Sequence, residues 1–270
     1  MTIGIFNKGN IEMYIEEFGT KESKCIVFIH GGGLSGWMWD RQVEDLKDFY
    51  CLVPDLPGQG KSKGLKPFSI KDSAHQISEL IKNKVDGGRA HVVGHSLGAQ
   101  IVVQLLASSP EVVDRAIVNS ALVRPIQGMV NLIKPTVKLT IPLTSFHWFA
   151  RLQARALSVP KEYLDKYFDD SKTITAGTLE QILVENASFS LPEGLERCNV
   201  PTLVLVGQKE RSIMLNSAKD LVSAIPASKG YLVQGVGHGF SFEDPKLYNE
   251  IIRAWFTDKQ ISSERLRVLL

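Results

Sequence analysis

Cysteine, net charge and long hydrophobic runs are all scarce in this sequence of 270 residues. The three cysteines, Cys25, Cys51 and Cys198, lie far apart and in or beside apolar runs. That placement favours buried free thiols and a reducing compartment over a disulfide framework. Lysine and arginine number 31 against 29 aspartates and glutamates, so the net charge is +2, and no basic run indicates nucleic-acid binding. No stretch of about 18 apolar residues occurs, so we expect no membrane span.

Targeting and metal-binding signals are also missing. Residues 1–8 lack a basic segment followed by an apolar core, so we expect no signal peptide and, by default, a cytoplasmic location. Neither an H-E-x-x-H motif nor closely paired cysteines occur, so we expect no metal site, and nothing implies a cofactor. The hydrophobic share of 44% and the charged share of 22% are typical of a globular protein. The length fits one large α/β domain, with or without an insertion.

Short apolar runs that alternate with amphipathic stretches predict the fold class. Residues 11–17 alternate as an edge strand of a hairpin does, with Gly9 and Asn10 as turn residues. A helix is predicted at residues 69–84, with Ser69 as its N-cap, and another closes the chain up to Phe256. Apolar runs predict buried strands at residues 25–29, 50–54, 90–93 and 201–207. Further strands are predicted at residues 116–119 and, as the last strand, at residues 231–235. This order implies βαβ units and a mainly parallel twisted sheet flanked by helices.

A glycine-flanked serine lies between the predicted strand at residues 90–93 and a helical pattern at residues 99–107. In the motif Gly94-His95-Ser96-Leu97-Gly98, a sharp strand-to-helix turn leaves no room for side chains two residues before or after its apex. The turn directs the serine hydroxyl out of the sheet at the positive end of a helix, where developing negative charge is stabilised. The motif therefore predicts a nucleophilic serine.

Three further features could complete such a site. The glycine loop His30-Gly31-Gly32-Gly33 follows a predicted strand, and its backbone N–H groups can approach a substrate closely. Glu210 lies just beyond the strand at residues 201–207, at the sheet edge where open α/β sheets carry their chemistry. His238 lies between two glycines after the predicted last strand. It can supply the base that a serine hydroxyl needs at neutral pH.

With these motifs, the chain resembles an α/β-hydrolase fold protein, and more closely a serine hydrolase with a helical cap. The resemblance covers most of the chain outside residues 122–195, and the loop that begins at Asp55 is mostly structural in that family. The matching residues are His30-Gly31-Gly32, Trp37, Asp55-x-x-Gly58-x-Gly60-x-Ser62 and Gly94-His95-Ser96-Leu97-Gly98.

The resemblance implies a role for each site residue. Ser96 would be the nucleophile, His238 the base and Glu210 the acid that orients His238, in the chain order that this fold uses. Family members usually have Asp at the position of Glu210, and Asp220 is the alternative acid. The backbone N–H groups of Leu97 and of Gly32 would form the oxyanion hole, with Gly33 as the alternative to Gly32.

Residues 122–195 break the alternation of strands and helices. Helices are predicted there at residues 144–157, 161–168 and 178–185, and no buried-strand pattern occurs. The resemblance identifies this interval as a cap over the serine, between core segments 1–121 and 196–270. We expect most of its apolar side chains to pack a small core within the cap, and the rest to form an apolar ceiling. Gly33, Trp37 and Trp148 are predicted to bind substrate.

The resemblance predicts a serine hydrolase that cleaves an ester, thioester or related carbonyl bond of a small molecule with an apolar acyl or aryl part. No partner beyond this substrate is implied. Two alternatives stay open. The same fold hosts amidases, carbon–carbon bond hydrolases, cofactor-free peroxidases and lyases, and it also hosts non-catalytic small-molecule sensors that keep the triad. For residues 258–270, a packed extra turn and a partner contact are both open, and the oligomeric state is not specified.

Overall fold

A computed structural model describes residues 2–8, 11–63, 68–126 and 128–269 of the chain. Its centre is a nine-stranded sheet with the strand order β1-β2-β4-β3-β5-β6-β7-β8-β9. The strands are β1 (Thr2–Lys8), β2 (Ile11–Phe18), β3 (Cys25–Ile29), β4 (Tyr50–Pro54), β5 (Ala90–His95), β6 (Val113–Asn119), β7 (Thr202–Gly207), β8 (Ser228–Val233) and β9 (Leu266–Val268).

The six inner strands β4, β3, β5, β6, β7 and β8 are parallel, as the alternation predicted. Every residue of β3, β5 and β7 is buried, because helices cover both faces of the sheet. Gly94 near the end of β5 pairs with Ile29 on one side and Val118 on the other. The carboxyl ends of β3, β5 and β6 therefore meet at one edge, and the residues that follow them are brought together.

Ten α-helices occur among the described residues. Ser69 is the N-cap of α2, and its hydroxyl accepts a hydrogen bond of 3.3 Å from the Asp72 N–H, as predicted. The helices are α1 (Asp40–Asp45), α2 (Ile70–Lys84), α3 (Leu97–Ser108), α4 (Met129–Thr140), α5 (His147–Ala156), α6 (Leu164–Ser171), α7 (Ala176–Ser188), α8 (Ser212–Ala224), α9 (Phe240–Glu243) and α10 (Pro245–Phe256).

Both ends of the sheet differ from the prediction. The strand β2 is not an edge strand, because it pairs with β1 on one side and with β4 on the other. The predicted turn residues Gly9 and Asn10 lie outside the described residues. At the other end, β8 is not the last strand, because β9 pairs with it antiparallel. The tail thus covers an edge of the sheet that would otherwise expose unpaired backbone groups.

The described part of residues 122–195 contains four α-helices, α4 to α7, and no strand. The predicted helix at residues 144–157 begins later, at His147, because residues Ile141–Ser145 form a 3₁₀ turn and Phe146 is extended. The sequence analysis did not predict α4, which contains Pro135 in its interior. Within the described residues, no helix is both long and apolar enough to cross a membrane.

Residues 122–195, the predicted cap, contact both one another and the core. Among the described residues, Ile133, Val137 and Ala187 form a buried cluster of their own between α4 and α7. Other buried cap residues belong to the two clusters on the faces of the sheet; Ile182 joins one, and Tyr167 joins the other. The expectation that most apolar cap residues pack among themselves stays a prediction.

Candidate active site

Ser96 lies on a sharp turn between β5 and α3. Its backbone has φ 53° and ψ −114°, a strained conformation for a residue with a side chain. A Cβ atom on Gly94 would lie 2.4 Å from the Gly98 carbonyl oxygen, and one on Gly98 would lie 2.2 Å from the Ile29 carbonyl oxygen. Both distances are far below van der Waals contact, so the glycines flanking Ser96 are a steric requirement of this turn.

Ser96, His238 and Glu210 form one hydrogen-bonded chain. The Ser96 Oγ lies 3.0 Å from the His238 Nε2, and the His238 Nδ1 lies 2.7 Å from the Glu210 Oε2. These residues come from three separate loops, 142 residues apart at the widest separation. The side chain of His238 is 33% exposed, while that of Glu210 is 2% exposed. Solvent and ligands can therefore reach the imidazole, and the carboxylate behind it is dry.

Two neighbouring groups fix Glu210 in place. Its Oε1 accepts hydrogen bonds from the Ser120 hydroxyl, at 2.7 Å, and from the Gly207 N–H, at 2.8 Å. The alternative acid, Asp220, is elsewhere, because both of its oxygens accept from Arg124, at 2.5 and 2.8 Å. The structure therefore brings Glu210, and not Asp220, to His238.

The backbone groups predicted to form an oxyanion hole are unpaired. Leu97 is the first residue of α3, and neither its N–H nor that of Gly32 donates to any described residue. The alternative donor, Gly33, is already occupied, because its N–H donates to the Gln59 Oε1 at 2.8 Å. A Cβ atom on Gly32 would lie 3.3 Å from the Leu97 Cδ2, so the two residues are neighbours. The geometry favours Gly32 over Gly33 for a shared anion site with Leu97.

A second imidazole lies against the first. The rings of His95 and His238 have centroids 4.9 Å apart, and the Asn119 amide donates to the His95 Nδ1 at 3.0 Å. Burial, and then the neighbouring His238, hold the pKa of His95 well below its usual value. His95 is therefore neutral with its proton on Nε2, and it places no positive charge beside His238.

His30 and Asp55 shape the loops beside the site. The His30 Nδ1 donates to the Gly31 carbonyl at 2.8 Å, and its Nε2 accepts from the Leu56 N–H at 2.9 Å. Burial lowers the pKa of His30 to about 4, so the ring is neutral. Asp55 accepts from the Gly36 and Lys61 N–H groups at 2.7 and 2.8 Å. Both residues link the ends of β3 and β4, in agreement with the structural role that the sequence suggested for the Asp55 loop.

The three residues predicted to bind substrate lie in different settings. Gly33 lines a small cavity of about 40 Å³ between its loop and the cap. Trp37 joins the core to the cap, because its indole N–H donates to the Asp170 Oδ2 at 2.7 Å and its ring stacks on Tyr163. Trp148 is 58% exposed on α5, with an edge contact to Phe149. The substrate-binding roles of all three stay predictions.

Three residues that contribute to the site were missed. Ser120 holds Glu210; it directly follows β6, so the rule that carboxyl strand ends carry the chemistry could have identified it. The Gln59 Oε1 accepts a hydrogen bond from the Gly33 N–H, and a Cβ atom on Gly32 would lie 3.1 Å from the Ile182 Cγ2 of α7. No local pattern indicates either contact.

Among the residues described, no group of three or more His, Cys, Asp or Glu side chains is arranged to hold a metal ion.

Comparison with known proteins matches most of this chain to one family. The model of the alpha/beta hydrolase family matches residues 26–251. The chain is 26% identical over 245 residues to an AB hydrolase superfamily protein of Gibberella zeae, a match that covers 88% of this chain and 82% of that protein. It is 25% identical over 274 residues to the putative carbamate hydrolase RutD of Serratia proteamaculans, covering 94% of this chain and all (100%) of that protein.

The fold has close counterparts among solved structures. A thermophilic esterase from Thermogutta terrifontis superposes with a TM-score of 0.79 at 20% sequence identity, covering 96% of this chain and 99% of the esterase. The mainly parallel sheet with helices on both faces is thus shared over nearly the whole length of both proteins. With a family model that covers the parallel strands from Ile26 onward, the turn at Ser96 and the loop that carries His238, this chain belongs to the alpha/beta hydrolase family.

Proposed function

We propose that this protein is a serine hydrolase that cleaves an ester, thioester or related carbonyl bond of a small molecule through an acyl-enzyme. The observation that carries the proposal is the hydrogen-bonded chain from the Ser96 Oγ to His238, at 3.0 Å, and on to Glu210, at 2.7 Å. These distances lie within the range that proton transfer between a nucleophile and its base requires.

In the first half of the reaction, the Ser96 oxygen attacks the carbonyl carbon while the His238 Nε2 takes the hydroxyl proton. The carbonyl oxygen becomes an anion and accepts hydrogen bonds from the Leu97 and Gly32 N–H groups. Each such donor contributes about 3 kcal/mol to transition-state stabilisation. The tetrahedral intermediate then collapses: the C=O bond re-forms and the bond between the carbonyl carbon and the leaving group breaks. His238 gives its proton to the leaving group.

In the second half, water attacks the acyl-enzyme and His238 takes one of its protons. The bond to Ser96 breaks, the serine oxygen recovers its proton from His238, and a carboxylic acid leaves. Glu210 stays ionised and holds the Nδ1–H of His238, so that the Nε2 faces Ser96 in both halves. The family membership and the names of two relatives, a carbamate hydrolase and an esterase, are in keeping with carbonyl-bond cleavage.

The test is hydrolysis of a panel of p-nitrophenyl esters by the wild type and by Ser96→Ala. Turnover of at least one ester should fall by about 10⁴-fold or more in the variant. Ser108→Ala is the matched control, because Ser108 is exposed at the far end of the same helix and should leave turnover unchanged. Labelling with a fluorophosphonate should add one phosphonyl group, at Ser96.

Other outcomes would replace the proposal. Turnover that is unchanged in Ser96→Ala would remove the acyl-enzyme mechanism. Absence of turnover with every ester, together with tight binding of a small ligand, would support the sensor instead.

A further inference from the structure

A groove lined by residues 151–164 has no part in the mechanism above. It encloses about 740 Å³ between α5 and the turn that leads to α6, within the usual size range of small-molecule sites. Its apolar part is formed by Ala154 and Val159, which are buried, and by Leu164. Such a floor suits a hydrocarbon chain.

Three cations line this groove without an acidic residue among them: Arg151, Arg155 and Lys161. None of the three side chains makes a hydrogen bond or an ion pair with any described residue. Glu162, the residue after Lys161, is paired with Arg41 of the core instead. Within the part of the chain that the structure describes, no carboxylate pairs with these three cations.

Local structure brings these charges together. Arg151 and Arg155 lie one turn apart on α5, where like charges repel and cost a few tenths of a kcal/mol. Arg155 is in the last turn, where the helix dipole favours a cation, but Arg151 is in the middle of the helix and has no such compensation. Beyond the helix, Ser158 adopts a left-handed backbone with φ 58°, which turns the chain and places Lys161 in the same groove.

One residue of the groove, Ser158, touches the loop that carries His238. A Cβ atom on Gly239 would lie only 2.3 Å from the Ser158 Cβ, so Ser158 packs directly on the residue after His238. Adjacent Cα atoms are 3.8 Å apart, which puts Ser158 on the order of 10 Å from the reacting serine. Ser158 lies between the groove and His238, so a substrate that reaches both places must pass beside this contact.

We propose that Arg151, Arg155 and Lys161 bind an anionic group, a carboxylate or a phosphate, carried by the substrate at a distance from the bond that is cleaved. The inference rests on the proposed function and narrows its substrate to amphiphilic molecules with one charged end. Arginine pairs with both anions through charge-assisted hydrogen bonds, which its planar guanidinium can make two at a time.

The first test measures binding without turnover. Octanoate, octyl phosphate and the neutral octanamide are titrated calorimetrically into the wild type, Arg151→Gln/Arg155→Gln and the control Lys71→Gln/Arg197→Gln. The control removes two exposed cations outside the cap. At least one anion should bind the wild type and the control equally, and the groove variant about tenfold more weakly. The anion with the larger loss identifies whether the groove takes a carboxylate or a phosphate.

The second test measures turnover. The p-nitrophenyl monoester of a dicarboxylic acid is compared with the ester of equal length that ends in a carboxamide. The ratio of kcat/KM for the charged over the neutral ester should fall about tenfold in the groove variant and stay constant in the control. A comparison within one variant cancels any general loss of activity.

The two proposals fail in different ways. Equal anion binding by the wild type and the groove variant, or no anion binding at all, refutes the proposal that the groove binds an anionic group, whether or not the protein hydrolyses esters. Loss of all esterase activity with anion binding that still depends on Arg151 and Arg155 overturns the proposed function and leaves the groove supported.

Discussion

Replacement of Glu210 by glutamine tests the site most directly. The Glu210 Oε1 accepts two hydrogen bonds, from Ser120 and from the Gly207 N–H. In Glu210→Gln the amide oxygen keeps this position, because both neighbours are donors. The amide NH₂ group must then face the His238 Nδ1. His238 can accept from it only by moving its own proton to Nε2, the atom that has to accept the proton of Ser96.

The expected loss is large because the wrong tautomer blocks the first step. A change of this kind lowers kcat by about 10⁴-fold in serine hydrolases, which corresponds to about 5 kcal/mol of activation free energy. The assay is kcat for the p-nitrophenyl ester that the wild type hydrolyses fastest. The protein should stay folded, because the side chain keeps its shape and two of its three hydrogen bonds.

Asp220→Asn is the matched control for this prediction. Asp220 loses its charge in the same way, but its partner is Arg124 and its side chain is 31% exposed. We expect kcat within about twofold of the wild type, since an exposed ion pair contributes only about 0–1 kcal/mol even to stability. A loss of less than tenfold in Glu210→Gln, or a larger loss in Asp220→Asn, would refute the assignment of Glu210.

Two further predictions concern stability. His91 is buried and stacked on Phe256, neither ring nitrogen has a partner among the described residues, and burial lowers its pKa to about 4 from 6.5. Its contribution to stability is therefore complete above pH 6.5 and is lost as the pH falls toward 4. The free energy of unfolding, measured with urea, falls between pH 7.5 and 4.5, and this fall should be about 2–3 kcal/mol smaller in His91→Phe than in the wild type. An equal fall in both proteins would contradict this role of His91. Gly98→Ala forces a Cβ atom to 2.2 Å from the Ile29 oxygen, so it should lower the free energy of unfolding by about 1–3 kcal/mol and abolish esterase activity. Gly177→Ala in α7 has no atom closer than 4.0 Å to the new Cβ and should raise the free energy of unfolding by about 0.5–1 kcal/mol. Equal stabilities of the two alanine variants would refute the steric account of the serine turn.

Much of the fold could be read from local patterns. The apolar runs within β3, β5 and β7 indicated buried strands, because a parallel sheet covered on both faces favours apolar residues at successive positions. The sheet edges could not be read in this way. The strand β9 has only three residues, one of them the polar Arg267, and it is a strand only because β8 offers it an open edge. The helix α4 was hidden by Pro135, whose cost the packing of α4 against α7 offsets.

The same division applies to the site. The sequence by itself indicated the turn at Ser96, because the demand for glycine at Gly94 is steric and comes from Gly98 within the same turn, whereas the demand at Gly98 comes from the Ile29 carbonyl of the neighbouring strand β3. Only the tertiary structure decided between Glu210 and Asp220 and between the N–H groups of Gly32 and Gly33. Those choices depend on partners that lie far away in the chain. Hydrogen bonds from Ser120 to the carboxylate and from Gly33 to Gln59 exist only after the strands have assembled, and no spacing along the chain encodes them.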